Sequence, residues 1–491
     1  MCNCKDYSRR DFLKSSLMGS SGLIALNNFR EESQSPYLNS VAKKSTRDHT
    51  VIQVIYLKKP VPTWPYPDID IDAEMKKINS HLDNFEKLWR DKDRDWDFNL
   101  KFVGRDLLTR DQDDIAQYKK TVGDVDGIIL FQLTSTCMVM IDEIIKWDIP
   151  VVLYNYPPSG HDWSQIPNIT KSGKRVDVIS SSNYADLEPY VRTMDTIRRL
   201  KQSKIIVVGP HSGSDRKIFA DKYGAEIIPV EYSDLNKFMD TIDEKKAEKE
   251  AEKFIRNAVK IIEPSRDDIV LSSKFYLAVK KMLAENEANA MTINCLGGFY
   301  GGHITAYPCL AWTRLLDEGL TGVCEADIKS TITSMIFRFY TGGKPGFVTD
   351  PFFDTNLNII TQAHCVSATK MNGPSGKSNP YIIRTHMEDN KGVSIQVKMD
   401  IGQVVTSAQL VDPNTMQIST QKITRNSDKI GGCRTKFECK VIDPETGEEL
   451  SAEKYLHNYV PPLHRVVFYG NYYKDLQKMG KLLRFEVVRE S

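Results

Sequence analysis

From about residue 50 the chain alternates short apolar runs with amphipathic stretches, and the period of the pattern changes once, near residue 365. "VIQVIYL" (51–57), "LKFVG" (100–104), "DGIILFQL" (126–133), "IPVVLYNYP" (149–157) and "KIIVVGP" (204–210) are runs of strand length bounded by turn residues. Helix-period stretches at 73–91 and 138–147 lie between some of them. Continuous β-branched runs alternating with helices predict parallel strands covered on both faces. A second unit of this kind begins near Ser203. It takes in "AEIIPVEY", a charged helix over 234–262, another over 268–286 and "AMTINCL". The Lys/Glu-rich 243–254 reads as a solvated helix face with i,i+4 pairs. Beyond Cys365, "YIIRTHM", "GVSIQVKM", "GQVVTSAQLV", "MQISTQKI" and "TKFECKVI" alternate polar with apolar residues, which predicts an antiparallel sheet or barrel.

The expected fold is therefore α/β: two doubly wound parallel-sheet (Rossmann-like) domains followed by a C-terminal antiparallel β-barrel-like domain. The predicted boundaries are 1–47 (export signal and linker), 48–202, 203–365 (carrying the metal carboxylates) and 366–491. A length of 491 residues agrees with several cores rather than one.

Composition adds mostly exclusions. A net charge of +1 gives no electrostatic reason for a nucleic-acid or acidic-lipid partner. No apolar stretch approaches the roughly 20 residues that span a bilayer. The nine cysteines are scattered, and those beyond Cys2 and Cys4 read as buried free thiols. The N-terminus changes the picture more. Arg9-Arg10 ahead of Phe12-Leu13-Lys14 and a short Ser/Gly-diluted apolar segment resembles a twin-arginine export signal, with Ser40-Val41-Ala42 as a cleavage site. It predicts a periplasmic protein exported already folded, or a cytoplasmic one if the signal does not function.

The chemistry gathers in "GVCEADIKSTITSMIFRFYTGGKPGFVTDPFFDTNLNIITQAHC" (322–365). "LTGVCE" reads as a strand ending at Glu325, and Asp327 suits the N-cap of the helix that follows. "GKPGFVTD" reads as a strand ending at Asp350, and "LNIITQAH" as one ending at His364. In open α/β sheets ligands bind beyond the carboxyl ends of strands, so the three are expected at one end of one sheet. Two carboxylates and an imidazole suit a hard divalent ion such as Mn²⁺ or Mg²⁺ better than a structural zinc, which prefers thiolates. Cys324 and Cys365 flank the set as packing residues. His303, among glycines at 297–302, reads as a loop residue. No Lys-Ser/Thr follows those glycines, so they are not a phosphate loop. Trp64 reads as packing.

The stretch "NCLGGFYGGHITAYPCLAWTRLLDEGLTGVCEADI" and the later "HC" resemble the L-fucose/L-arabinose isomerase superfamily, particularly its fucose-isomerase-like members. "PPLHRVVFYGNYYKDLQKMGKLLRFEVV" resembles the arabinose-isomerase C-terminus. The likeness covers roughly 290–366 and 460–490, and across 50–290 extends only to fold and length. It implies a metal-dependent aldose–ketose isomerase working through an ene-diol on a monosaccharide or sugar derivative. Glu325 and Asp350 would bind the metal and exchange the proton, with His364 and His464 as further ligands. The ion implied is Mn²⁺, or else Mg²⁺ or Co²⁺, with no organic cofactor. A homo-oligomer, trimer or hexamer, with sites near subunit interfaces is also implied. The chain mixes branches: Asp350 follows the fucose branch, the "HC" histidine the arabinose branch, and Leu463-His464 replaces the arabinose branch's His-His pair. The alternatives are an exported sugar-binding or sensing protein on the same scaffold, and a sugar epimerase using the same metal site.

Overall fold

"TVIQVIYLK" carries branched or aromatic side chains on both of its alternating faces, so only a strand covered on both sides can bury them. In the computed structural model, which describes residues 47–60, 67–89, 98–159, 161–210, 213–428 and 432–490, this run is β1 (Thr50–Lys58), buried throughout except Lys58. The twin-arginine segment, Ser40-Val41-Ala42 and Trp64 lie outside the described residues. β2 (Leu100–Thr109), β3 (Gly127–Gln132), β4 (Val151–Asn155) and β5 (Val176–Ile179) complete a parallel sheet in the doubly wound order 2-1-3-4-5. β5 escaped the sequence pattern. It is four residues long with Asp177 inside it, and its pairing with β4 supplies what its own hydrophobicity does not.

Next come β6 (Lys204–Val208), β7 (Glu226–Val230), the two-residue β8 (Lys260–Ile261), β9 (Ala290–Ile293) and β10 (Thr321–Cys324). All but β8 form a second parallel sheet in the order 10-9-6-7. The single helix expected over 234–262 is two, Tyr232–Asp240 and Glu244–Asn257. Asp243 makes the break. Its backbone is extended and its carboxylate accepts from the Lys246 N–H at 3.0 Å, capping the second helix.

From residue 347 the pairing turns antiparallel. The strands are β11 (Phe347–Asp354), β12 (Ile359–His364), β13 (Tyr381–Arg384), β14 (Ser394–Val397), β15 (Val404–Asp412), β16 (Thr415–Asn426), β17 (Thr435–Ile442), β18 (Arg465–Tyr469) and β19 (Glu486–Arg489). Six of them close a barrel in the order 15-18-11-12-17-16, with β16 returning to β15. Closure removes the open edges that a flat sheet would expose. β19 adds to β16 in parallel. β13 and β14, expected in the large sheet, form a small separate one with β8. β11 and β12 were expected beside β10 and belong to the barrel instead. The reason is topological: only residues 355–358 separate them, enough for a hairpin but far short of the dozen or so residues a parallel crossover needs.

The helix Ile328–Thr341 joins β10 to the barrel. Its Ile332, Met335, Ile336 and Phe339 are buried in one cluster with Ala408, Leu410 and Val466. Phe337 lies flat on Phe468, ring centroids 3.8 Å apart. Ser330 Oγ lies 3.2 Å from Gln409 Oε1, and Leu410 N–H donates to Thr333 Oγ1 at 3.1 Å. These contacts fix the C-terminal end of β10 against the barrel wall. Among the described residues no helix is long and apolar enough to cross a membrane.

The barrel also encloses a polar relay. Thr349 Oγ1 donates to Gln362 Oε1 at 2.6 Å, Gln362 Nε2 to Gln421 Oε1 at 3.0 Å, and Gln421 Nε2 to Ser419 Oγ at 2.8 Å, all buried. Gln362→Ala strips partners from Thr349 and Gln421 and opens a cavity, so the unfolding free energy should fall by about 2–4 kcal/mol in denaturant titrations. An unchanged midpoint would show that the relay is not holding the barrel together.

Candidate metal centre

Glu325 follows the last residue of β10, at the carboxyl end of an edge strand rather than at the switch point between β6 and β9 where such sheets usually bind. The chain turns there through two consecutive left-handed residues, Glu325 (φ 64°) and Ala326 (φ 54°). Side chains other than glycine's resist this conformation, by about 1–2 kcal/mol each. The turn is held by Ala326 N–H, which donates to Ile293 O at 2.9 Å. It delivers Asp327 to the start of the next helix as predicted: Oδ1 accepts from Ser330 N–H at 3.0 Å.

Asp327 has a second task that its cap position did not announce. Its Oδ2 accepts from Ser330 Oγ at 2.6 Å and lies 2.7 Å from His464 Nδ1. His464 immediately precedes β18, and this bond fixes which face of the imidazole turns inward. Nε2 then lies 3.6 Å from Glu325 Oε2 and 3.5 Å from Asp350 Oδ1. His364, the last residue of β12, brings its Nε2 to 3.8 Å from Glu325 Oε1. The two imidazoles meet edge to face at 77°, centroids 5.4 Å apart. His364, His464 and Asp350 are buried, whereas 29% of the Glu325 side chain is exposed. Glu325 is thus the member that faces solvent.

One ligand atom from each of Glu325, His364 and His464 lies within 4.8 Å of the others. Asp350 stands beside this trio, reaching it through His464. The four residues singled out from the sequence therefore meet, but not at one end of one sheet. Glu325 comes from the parallel sheet, and Asp350, His364 and His464 from the barrel. Asp350 does not end its strand either, since β11 runs on to Asp354. His303 stands apart, stacked on Tyr232 at 5.3 Å. Asp327 is the site residue whose partner the sequence did not reveal.

The donor set fits a divalent cation on chemical grounds. Burial opposes a charge on His464, but the bond to Asp327 and the carboxylates of Glu325 and Asp350 outweigh it and push its pKa up to about 10. Burial likewise works against the Asp327 carboxylate, yet His464 and Ser330 hold its pKa below the ordinary value. Three carboxylates around one imidazole form a cradle that calls for positive charge. Carboxylate oxygens together with imidazole nitrogens are donors that divalent cations accept. The neighbouring thiols are not candidates. Neither Cys324 nor Cys365 belongs to the converging group of Glu325, His364 and His464, and Cys295 beside Cys324 and Cys309 beside Cys365, together with burial, raise both thiol pKa values.

With this geometry in place, likeness to other proteins becomes informative. No protein-family model matches the chain. It is 22% identical over 286 residues to the sulfoquinovose isomerase of Alkalicoccus urumqiensis, an alignment covering 53% of this chain and 64% of that protein. It is 21% identical over 308 residues to the sulfoquinovose isomerases of Priestia aryabhattai and Priestia megaterium, covering 60% of this chain and 66% of theirs. The chain thus spans just under two thirds of the length of these curated relatives.

The strained turn yields a stability test. Ala326→Gly relieves a left-handed alanine and should raise the unfolding free energy by about 0.5–1 kcal/mol. A lower midpoint in thermal or denaturant unfolding would mean that the methyl group contributes more than its conformation costs.

Proposed function

We propose that the protein is a divalent-metal-dependent sugar isomerase that interconverts an aldose and a ketose through an ene-diol. The observation that carries this reading is the convergence of Glu325, His364 and His464 within 4.8 Å, with Asp350 alongside. Relatives that are sulfoquinovose isomerases support it.

Glu325, His364 and His464 would hold the ion, with Asp350 as a fourth donor. When bound, a divalent cation supplies Lewis-acid stabilisation of the charge that develops on two neighbouring sugar oxygens. The reaction moves one proton between C2 and C1 and another between O2 and O1. We assign these transfers to Glu325 and Asp350, two carboxylates that lie 3.6 Å and 3.5 Å from His464 Nε2, one acting as base while the other acts as acid. The exposure of Glu325 lets a sugar reach it from solvent, whereas Asp350 works from the buried side. Asp327 keeps His464 Nδ1 engaged, leaving Nε2 for the ion. Mn²⁺ is the ion to try first. Sulfoquinovose leads the substrates to try, ahead of L-fucose and L-arabinose. Export through the Arg9-Arg10 leader and assembly of a homo-oligomer belong to the same proposal.

Two experiments test it. A panel of aldoses and ketoses incubated with Mn²⁺ in D₂O should show deuterium entering at C1 or C2 of one sugar pair, and Glu325→Gln should lower that turnover by about 10²–10⁴-fold. Turnover that survives the substitution would remove Glu325 from the chemistry. Asp327→Asn retains a helix cap but loses the charge that orients His464, and should weaken Mn²⁺ binding by about 10–100-fold in calorimetric titration. Unaltered affinity would count against the role given to Asp327.

A further inference from the structure

We infer that Arg465 and Glu490 form a buried clamp that positions His464 for the ion. This rests on the metal-site reading above. His464 sits at the end of the segment 459–464, which connects the helix Ala452–Asn458 to β18. Such a segment has no ladder of its own, and its carbonyl groups need partners from elsewhere. One side chain bonds three of the six. Arg465 Nη2 donates to Val460 O at 2.9 Å, and Nη1 donates to Pro462 O at 2.8 Å and to His464 O at 2.9 Å. The hydroxyl of Tyr459 donates to Leu463 O, and the Tyr459 ring lies 3.8 Å beneath the guanidinium.

These carbonyls give the guanidinium directional partners but no countercharge. Arg465 is fully buried, so an opposite charge must be close by. Glu490 provides it, also fully buried: its Oε1 accepts from Arg465 Nε at 3.0 Å and from Nη2 at 2.5 Å. Glu490 is placed by main-chain bonding, since its N–H donates to Ile418 O at 2.9 Å just beyond the β19–β16 pairing. An apolar pair could fill this volume without the desolvation that two buried charges suffer. What the charged pair adds is geometry: five fixed donors, three of them committed to the backbone at Val460, Pro462 and His464. Asp327 fixes the imidazole from the ring side, and Arg465 with Glu490 fixes its backbone. Both are positioning residues.

The test uses the full chain carrying Glu490→Gln, which keeps shape and an acceptor but removes the countercharge. Hydrogen–deuterium exchange of 459–465 should quicken by about tenfold or more while exchange in β1–β5 stays at the wild-type rate. Mn²⁺ affinity by calorimetry should drop by about 10–100-fold. A purely structural role would lower the melting temperature yet leave the folded protein's Mn²⁺ affinity intact. Should Glu490→Gln fail to fold, Tyr459→Phe removes one carbonyl bond and should move both readouts the same way, by several-fold. The clamp is overturned if 459–465 exchanges at the wild-type rate, or if it loosens with Mn²⁺ affinity unchanged. Should the wild-type protein itself take up no Mn²⁺, the metal reading falls, and the exchange rate of 459–465 alone then decides whether the clamp holds the segment.

Discussion

The contact on which the site depends is the 2.7 Å bond between Asp327 and His464. It joins the first turn of a helix leaving the parallel sheet to a segment entering the barrel, at the site end of the packing that seats this helix on the barrel wall. Everything nearer the candidate ion is placed relative to it. Glu325 is two residues upstream of Asp327 through a turn with no spare freedom, and Asp350 faces the Nε2 that the bond leaves inward. The barrel contributes what a parallel sheet cannot: side chains from two antiparallel strands and a strand entry, brought in from one side. The sheet contributes a carboxylate that still meets solvent.

Strain and support are matched here. Consecutive left-handed residues at Glu325 and Ala326 are unfavourable alone, and the helix cap, the bond to Ile293 and the packing of Ile328–Thr341 on the barrel hold them in place. A turn of ordinary geometry would aim Glu325 elsewhere. Stability is given up at the one location where direction matters most, which is how sites tend to differ from the scaffold around them.

Much of this was legible in the sequence, and the failures have identifiable causes. The parallel sheets announced themselves through long β-branched runs, and Asp327 through its place before a helical period. Glu325, Asp350 and His364 stood out because each closes or interrupts an apolar run. They do not share one sheet, because a connection as short as 355–358 demands a hairpin between β11 and β12. His464 was not readable from local pattern, because it lies a hundred residues beyond His364 in a Pro-rich segment. It entered through resemblance alone. Barrel closure was hidden as well: alternation shows that a strand has two faces but not which neighbour it meets. Least visible was the second task of Asp327, since an N-cap has two carboxylate oxygens and the sequence accounts for one.

The position of β18 within the barrel bears on the site. β18 lies between β11 and β15, so a strand late in the chain must slot between two that precede it. His464 arrives with that strand. The parallel sheets by themselves therefore hold Glu325, while His364 and His464 come from the barrel. The group formed by Glu325, His364 and His464 is complete only when β18 has taken its place between β11 and β15.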